Sequence, residues 1–389
     1  MKLLIVSPSY YPNIGGVEHV VKSVTERLTL RGHEVTVLCG EPGIGNPREE
    51  WINKVRVVRW PIWAPGGAYH IPRMREAFER WLLDIARESD VVHFHSVHSV
   101  FTVYSLSILR NYGIYDIYRV LTPHYHGTGH TFLRKALWVV WREYVRRAMA
   151  SVDVVHSVSS YEEQLLARDF GVKPIVVEHG VEEWILEVPW NPSGYAMYSG
   201  RIEKYKNIHR LANIVKHLNK MGLSLELKVF GEGGFKQKLK QYLDKLGVKY
   251  ELKPPQRYDE YINYLSRASF FGLLSEREAY GQTVNEANAI GVPVVIAEPW
   301  GLNFKERTRT LMVNLSMSDE EIARKVAAFL EEAKKQPKPK VPSWSQVVDL
   351  YIKILYGRAY LKELLKRIID REFVLNTSST CVSVLSRRL

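Results

Sequence analysis

Phe270-Phe271-Gly272-Leu273-Leu274-Ser275-Glu276-Arg277-Glu278-Ala279-Tyr280-Gly281-Gln282-Thr283-Val284-Asn285-Glu286-Ala287 runs from an apolar stretch through a polar turn into the start of a helix. The run Phe270–Leu274 reads as a buried strand, and a helix should begin near Gln282. A helix start carries free backbone N–H groups and about half a positive charge, so Tyr280-Gly281-Gln282 marks a place that favours an anion. Helix side chains tilt toward the N-terminus, so Glu286, one turn in, reaches back to the same place.

Working outward, the same strand–turn–helix unit recurs almost from end to end. Upstream lie the apolar runs Tyr195–Ser199, Leu225–Phe230 and Tyr250–Leu252, and downstream Pro293–Ala297. An earlier series reads Leu3–Ser7, Val35–Cys39, Val91–His95, Val120–Pro123, Val154–Val158 and Ile175–Glu178. Amphipathic segments such as Val17–Leu30, with Val17, Val20, Val21, Val24 and Leu28 on one stripe, separate them. The alternation predicts an α/β chain of two doubly wound parallel sheets, which suits a length of 389 residues. Glu182–Gly194, with Pro189, Asn191-Pro192 and Ser193-Gly194, interrupts the pattern and reads as a linker. Two such domains would face each other across a cleft.

The polar residues with chemistry cluster just after predicted strands: Gly15-Gly16, His124, Gly200-Arg201 with Lys206, and Glu278 with Glu286. In open parallel sheets that is where ligands bind. In Ser199-Gly200-Arg201-Ile202-Glu203-Lys204-Tyr205-Lys206-Asn207 two cations flank a short loop, positioned to stabilise a diphosphate leaving group without a metal. Glu286 fits the two hydroxyls of a ribose, and Glu278 the hydroxyls of a sugar. The paired glycines Gly15-Gly16 allow a backbone to approach a ligand closely, but they are not the spaced dinucleotide fingerprint, so hydride chemistry is not favoured.

Composition sets the outer limits. The net charge is +12, and residues 1–190 balance at 21 basic and 21 acidic, so the excess lies in the second half. Lysine-rich stretches there read as a solvated face; no nucleic-acid module accompanies them, and no nucleic-acid partner is expected. Two cysteines, Cys39 and Cys381, give no disulfide framework and fit a cytoplasmic protein. The first strand is too short for a signal peptide, and no apolar run is long enough to span a bilayer. His93, His95, His98, His124, His126 and His130 lack the cysteine or paired aspartate of a closed zinc set, so no metal is expected.

In Phe132–Arg147 five basic residues accompany one acid. Leu133, Leu137, Val140 and Tyr144 form a stripe expected in the core. Arg134, Trp138, Trp141 and Arg142 would then face outward, where peripheral contact with an anionic membrane, at its inner face, is the alternative to plain solvation.

Taken together, Gly15-Gly16, His124 within Thr122-Pro123-His124-Tyr125-His126-Gly127, Gly200-Arg201 with Lys206-Asn207, and Glu278-x7-Glu286 with Tyr280-Gly281 resemble the family-4 retaining glycosyltransferases, glycosyl transferases of group 1. The resemblance covers about residues 1–365 and implies the GT-B fold. It implies an acceptor-side Rossmann-like domain at 1–186 and a nucleotide-sugar domain at 187–345. Helices at 346–371 would return to the first domain, and a poorly ordered tail would occupy 372–389. By that resemblance Gly16, Arg201, Lys206, Tyr280, Gly281 and Gln282 serve the donor diphosphate and Glu286 its ribose. Glu278 and His124 would stand at the reacting centre. The implied reaction is sugar transfer from a nucleotide-diphosphate donor to a glycan or lipid-linked acceptor, by front-face substitution, with no cofactor; the sequence has no Asp-x-Asp pair. Two rivals share the architecture: a hydrolysing nucleotide-sugar epimerase and a silent nucleotide-sugar-binding subunit.

Overall fold

The computed structural model describes residues 1–13, 15–67, 69–114, 116–127 and 132–361, with residues 66 and 132–136 described at the backbone only. His130 and the expected tail 372–389 lie outside the described residues, as do the side chains of Leu133 and Arg134. The chain forms two compact units. Of the described residues, one comprises those within 1–123, 136–156 and 348–361; the other comprises those within 124–135 and 157–347.

In the first unit the sheet runs Arg48–Ile52, Val55–Trp63, Glu34–Pro42, Lys2–Ser7, Val91–His95, Tyr118–Thr122, Val154–Ser157. All neighbours on this path are parallel except the hairpin Arg48–Ile52 with Val55–Trp63. In the second unit all six strands are parallel, in the order Tyr250–Lys253, Glu226–Phe230, Tyr195–Ser199, Phe270–Leu273, Val294–Ala297, Thr310–Val313. Numbered along its own chain, that sheet reads 3-2-1-4-5-6, the Rossmann order. The two halves wind outward in opposite directions from the adjacent pair Tyr195–Ser199 and Phe270–Leu273. No helix among the described residues is long and apolar enough to cross a membrane.

Helices cover both faces. Ile208–Lys220 buries Ile208, Leu211, Ala212, Ile214, Val215 and Leu218, a stripe at helical spacing. Asp319–Ala333 begins with a capping box between Ser318 and Glu321. The final helices return to the first unit, where the Tyr356 hydroxyl and His93 Nδ1 are hydrogen-bonded at 2.7 Å. His93 Nε2 in turn meets Thr122 Oγ1, and Thr122 Oγ1 meets His156 Nδ1, each at 2.7 Å. His93 thus has hydrogen-bond partners on both ring nitrogens, and among the described residues no group of three or more His, Cys, Asp and Glu is placed to hold a metal ion.

The helix Phe132–Met149 corrects the sequence expectation. Its buried face is Trp138, Val145, Ala148 and Met149, and the Trp141 indole donates to Val97 O at 2.8 Å. Leu137, Val140 and Tyr144, expected in the core, are exposed. Both stripes have helical spacing, and burying a tryptophan removes more apolar area than burying a leucine or valine, so the Trp stripe takes the core. Trp138 and Trp141 are thus not presented outward.

Two glycines fix the second unit's upper loops. A Cβ on Gly231 would lie 1.9 Å from Gly200 O, and one on Gly233 would lie 2.3 Å from Ile202 O, both at positive φ. This closeness lets Ile202 N donate to Glu232 O at 2.8 Å. Gly231→Ala should cost at least about 3 kcal/mol in urea unfolding. Gly222→Ala, at positive φ but with open space around it, should cost about 1 kcal/mol. Equal losses in the two variants would show that φ alone governs and that the backbone contact is unimportant.

Candidate active site

The second unit's two central strands end in the loops that hold most of the expected site. After Ser199 the chain passes Gly200 and Arg201 into the short 3-10 turn Lys204–Lys206. Asn207 follows in left-handed conformation, and its Nδ2 donates to Leu274 O at 3.0 Å. Glu276 N donates to Tyr205 O, also at 3.0 Å. These bonds tie the two loops together across the switch point. The result is an ion pair between Lys206 Nζ and the Glu278 carboxylate, both side chains largely buried. Lys206 also lies 5.1 Å from the centre of the Tyr205 ring. Arg201 is exposed, with Nη2 3.4 Å from the Tyr205 hydroxyl.

The helix Gln282–Ile290 starts from Gly281 at φ 100°, with no side-chain cap. A Cβ there would sit 2.8 Å from the Trp300 ring, so only glycine fits both the backbone and the space. Gln282 Nε2 donates to Gly180 O at 2.9 Å. Tyr280 is buried, its hydroxyl 3.2 Å from Arg307 Nη2 and 3.3 Å from Glu178 Oε2, and burial holds its proton well above the usual phenol range. Arg307 organises this corner: it donates to Glu178 at 2.9 Å and to Asn285 Oδ1 at 2.6 Å, while Asn285 Nδ2 donates to His179 O at 3.0 Å.

Glu286 is almost wholly buried, and each carboxylate oxygen accepts one tyrosine hydroxyl: Tyr258 on Oε1 and Tyr261 on Oε2, both at 2.8 Å. Burial pushes its carboxyl up to about 7, opposed by the hydrogen bonds from Tyr258, Tyr261 and Gln282, which favour the anion.

His124, in the same unit, is buried at φ 50°, a conformation uncommon outside glycine. Its ring centre is 6.0 Å from that of His179, which is 4.8 Å from Tyr280. The loop is held from behind by Glu162, which accepts from Tyr125 N and, at 2.8 Å, from Val158 N. Gly16 lies in the first unit, at the start of helix Gly16–Leu30. Beside it, the Glu18 carboxylate folds over Gly15, its Oε2 lying 2.1 Å from where a Cβ would be.

Thus the second unit brings Lys206, Glu278, Tyr280, Gly281, Gln282 and Glu286 onto two loops and one helix, with His124 linked to Tyr280 through His179. Sequence reading missed Arg307, Tyr258, Tyr261 and Glu162. Only Tyr258 and Tyr261, one helical turn apart, left a trace, and it reads equally well as core.

Residues 14–183 match the family model described as Glycosyltransferase Family 4, and residues 182–340 the one described as Glycosyl transferases group 1. A GDP-mannose-dependent alpha-mannosyltransferase of Mycolicibacterium smegmatis is 26% identical over 322 residues, covering 77% of this chain and 80% of that protein. A glycosyltransferase of Methanocaldococcus jannaschii is 24% identical over 315 residues, covering 78% and 80%. Among solved structures, sucrose-phosphate synthase from Thermosynechococcus elongatus superposes with a TM-score of 0.67 at 17% identity, over 96% of this chain and 99% of that one.

Glu286 also makes a testable contribution to stability. Its folded pKa of about 7 lies above the ordinary 4.5, so between those values the folded state binds more protons and stability falls as pH rises. Relative to Glu286→Gln, the wild type should gain on the order of 2 kcal/mol from pH 7 to pH 5. Denaturant titrations at the two pH values measure it; a pH-independent difference would mean that the carboxyl is not shifted.

Proposed function

Because the chain belongs to the family-4 glycosyltransferases, retaining enzymes of the GT-B fold that use nucleotide-sugar donors, we propose that it transfers mannose from GDP-mannose to a glycan or lipid-linked acceptor without a metal ion. The observation that carries the reading is the contrast between two glutamates on either side of one helix start. Glu286 is buried against tyrosine hydroxyls, while Glu278 is paired with Lys206. The named activity of the Mycolicibacterium relative supports mannose and guanosine as the donor's parts.

In this reading Glu286 takes the ribose hydroxyls. Lys206, Arg201 and the N–H groups at Gly281-Gln282 take the diphosphate, with Tyr280 buttressing that helix start. As the bond from the anomeric carbon to the phosphate oxygen breaks, negative charge grows on the diphosphate, and these fixed positive groups stabilise it. That is the work a divalent ion would otherwise do, and the sequence offers no Asp-x-Asp pair to bind one. The acceptor hydroxyl attacks the same face of the sugar, and its proton passes to the departing phosphate oxygen. Glu278 and His124 orient the sugar hydroxyls.

Proton NMR of the anomeric signals, with a panel of nucleotide sugars in EDTA, tests the proposal. GDP-mannose should be consumed, slowly by water and faster with acceptor, and α-mannose should appear first. Consumption of a different donor alone would overturn the assignment, and loss of turnover in EDTA restored by Mn²⁺ would overturn metal independence. Lys206→Ala and Glu286→Ala should each raise donor KM about tenfold or more; unchanged donor kinetics in both would break the site map.

A further inference from the structure

Glu286 is only 3% exposed, so the hydroxyls of a ligand reach its carboxylate only when one of the groups covering it moves aside. Three groups hold it: the hydroxyls of Tyr258 and Tyr261, and the side chain of Gln282. Gln282 is also anchored elsewhere, its Nε2 donating to Gly180 O at 2.9 Å. Tyr261 is buried one turn inside helix Tyr258–Ser266, and its N–H donates to Arg257 O at 2.8 Å. Tyr258 is the first residue of that helix, at an end where Arg257 supplies no side-chain cap, and uncapped helix ends fray. Its ring is half-buried, stacked on that of Tyr261 with centres 6.1 Å apart. The Trp184 ring, itself 44% exposed, meets it edge to face at 5.9 Å. Of the three covering groups, Tyr258 is the one that can leave without unpacking the core.

We propose that Tyr258 is a placeholder for the donor's ribose: its hydroxyl occupies Glu286 Oε1 in the free protein and yields that oxygen to the ribose diol when a nucleotide binds. The inference rests on the assignment of Glu286 to the ribose. An ionised carboxylate offers about four acceptor sites. Tyr261 uses one on Oε2, so the diol can take the vacated Oε1 and the second site of Oε2. The exchange is hydroxyl for hydroxyl, which keeps the buried carboxyl hydrogen-bonded before and after, as a buried polar group requires. Tyr258 therefore holds donor affinity down, because every nucleotide that uses Glu286 must first break a hydrogen bond to a charged group.

The test is calorimetric titration of the full chain with GDP, UDP, ADP and CDP, and the nucleotide bound most tightly becomes the probe. Tyr258→Phe keeps the ring and its packing and removes only the competing hydroxyl, so it should bind the probe about tenfold more tightly than the wild type. A residue that merely supports the site would lose affinity on the same change. Tyr261→Phe removes the hydroxyl that stays, and should not tighten binding. The 2′,3′-dideoxy analogue of the probe has no hydroxyl to exchange, so the wild type and Tyr258→Phe should bind it alike. If Glu286→Ala weakens probe binding while Tyr258→Phe binds no more tightly than the wild type, the placeholder is overturned and the ribose assignment stands. Equal tightening in both tyrosine variants, or tighter binding of the dideoxy analogue by Tyr258→Phe, would overturn it as well. Unchanged probe binding by Glu286→Ala, or no binding of any nucleotide by the wild type, would remove the ribose assignment and the placeholder with it.

Discussion

Two parallel strands whose onward connections leave in opposite directions cannot both be roofed by the same crossover. The space above their carboxyl ends stays open, bounded by loops. In the second unit that pair is Tyr195–Ser199 beside Phe270–Leu273. Everything distinctive about the site follows from how the two loops are kept from collapsing into the gap. Asn207 and Glu276 stitch them side by side with backbone-directed bonds. Gly231 and Gly233 let a neighbouring loop brace the first from behind at distances no side chain would allow. Lys206 and Glu278 then meet as a consequence of backbone geometry rather than as its cause.

The two glutamates of the helix start live in opposite electrostatic settings although they are eight residues apart. Glu278 has a cation; Glu286 has neutral donors, the hydroxyls of Tyr258 and Tyr261 and the Gln282 side chain. Burying a carboxylate without a counter-charge costs several kcal/mol unless it is hydrogen-bonded, and two tyrosine donors offset part of that cost. The proton the carboxyl retains near neutral pH is the remainder. A group held this way gains from further hydroxyl donors, whereas a carboxylate already paired with lysine gains less. In the proposed reading, that contrast is the physical reason to give the buried glutamate the ribose diol.

How much of this was readable from residues depended on whether the signal was local. Strand–helix alternation and the polar residues at strand ends are local, and both Rossmann-like sheets follow from them. Val55–Trp63 was missed because its run Val-Arg-Val-Val-Arg-Trp-Pro-Ile-Trp mixes arginines with a proline, and one of those arginines, Arg59, is buried and paired with Glu50 and Glu41. A buried charge hides a strand from any apolar pattern. The stripe of helix Phe132–Met149 was assigned to the wrong face because two stripes had the same period, and only tertiary packing chooses between them. Arg307 was invisible for a different reason: it gathers Glu178, Asn285 and Tyr280, segments far apart in sequence, and nothing local marks it.

The same logic of remote support governs His124. A β-carbon in the left-handed region costs about 1–2 kcal/mol, and it persists only where neighbours over-determine it. Here the next residue's N–H is captured by Glu162, itself seated at the N-terminus of helix Ser160–Phe170, where Ser159 caps Glu162 N at 3.0 Å. Glu162 is buried, and burial pushes its carboxyl up to about 7 against the backbone bonds that favour the anion. The helix start supplies the partial positive charge that makes such a seat tolerable. The left-handed backbone at His124 is therefore held by a buried acid on the following residue's N–H.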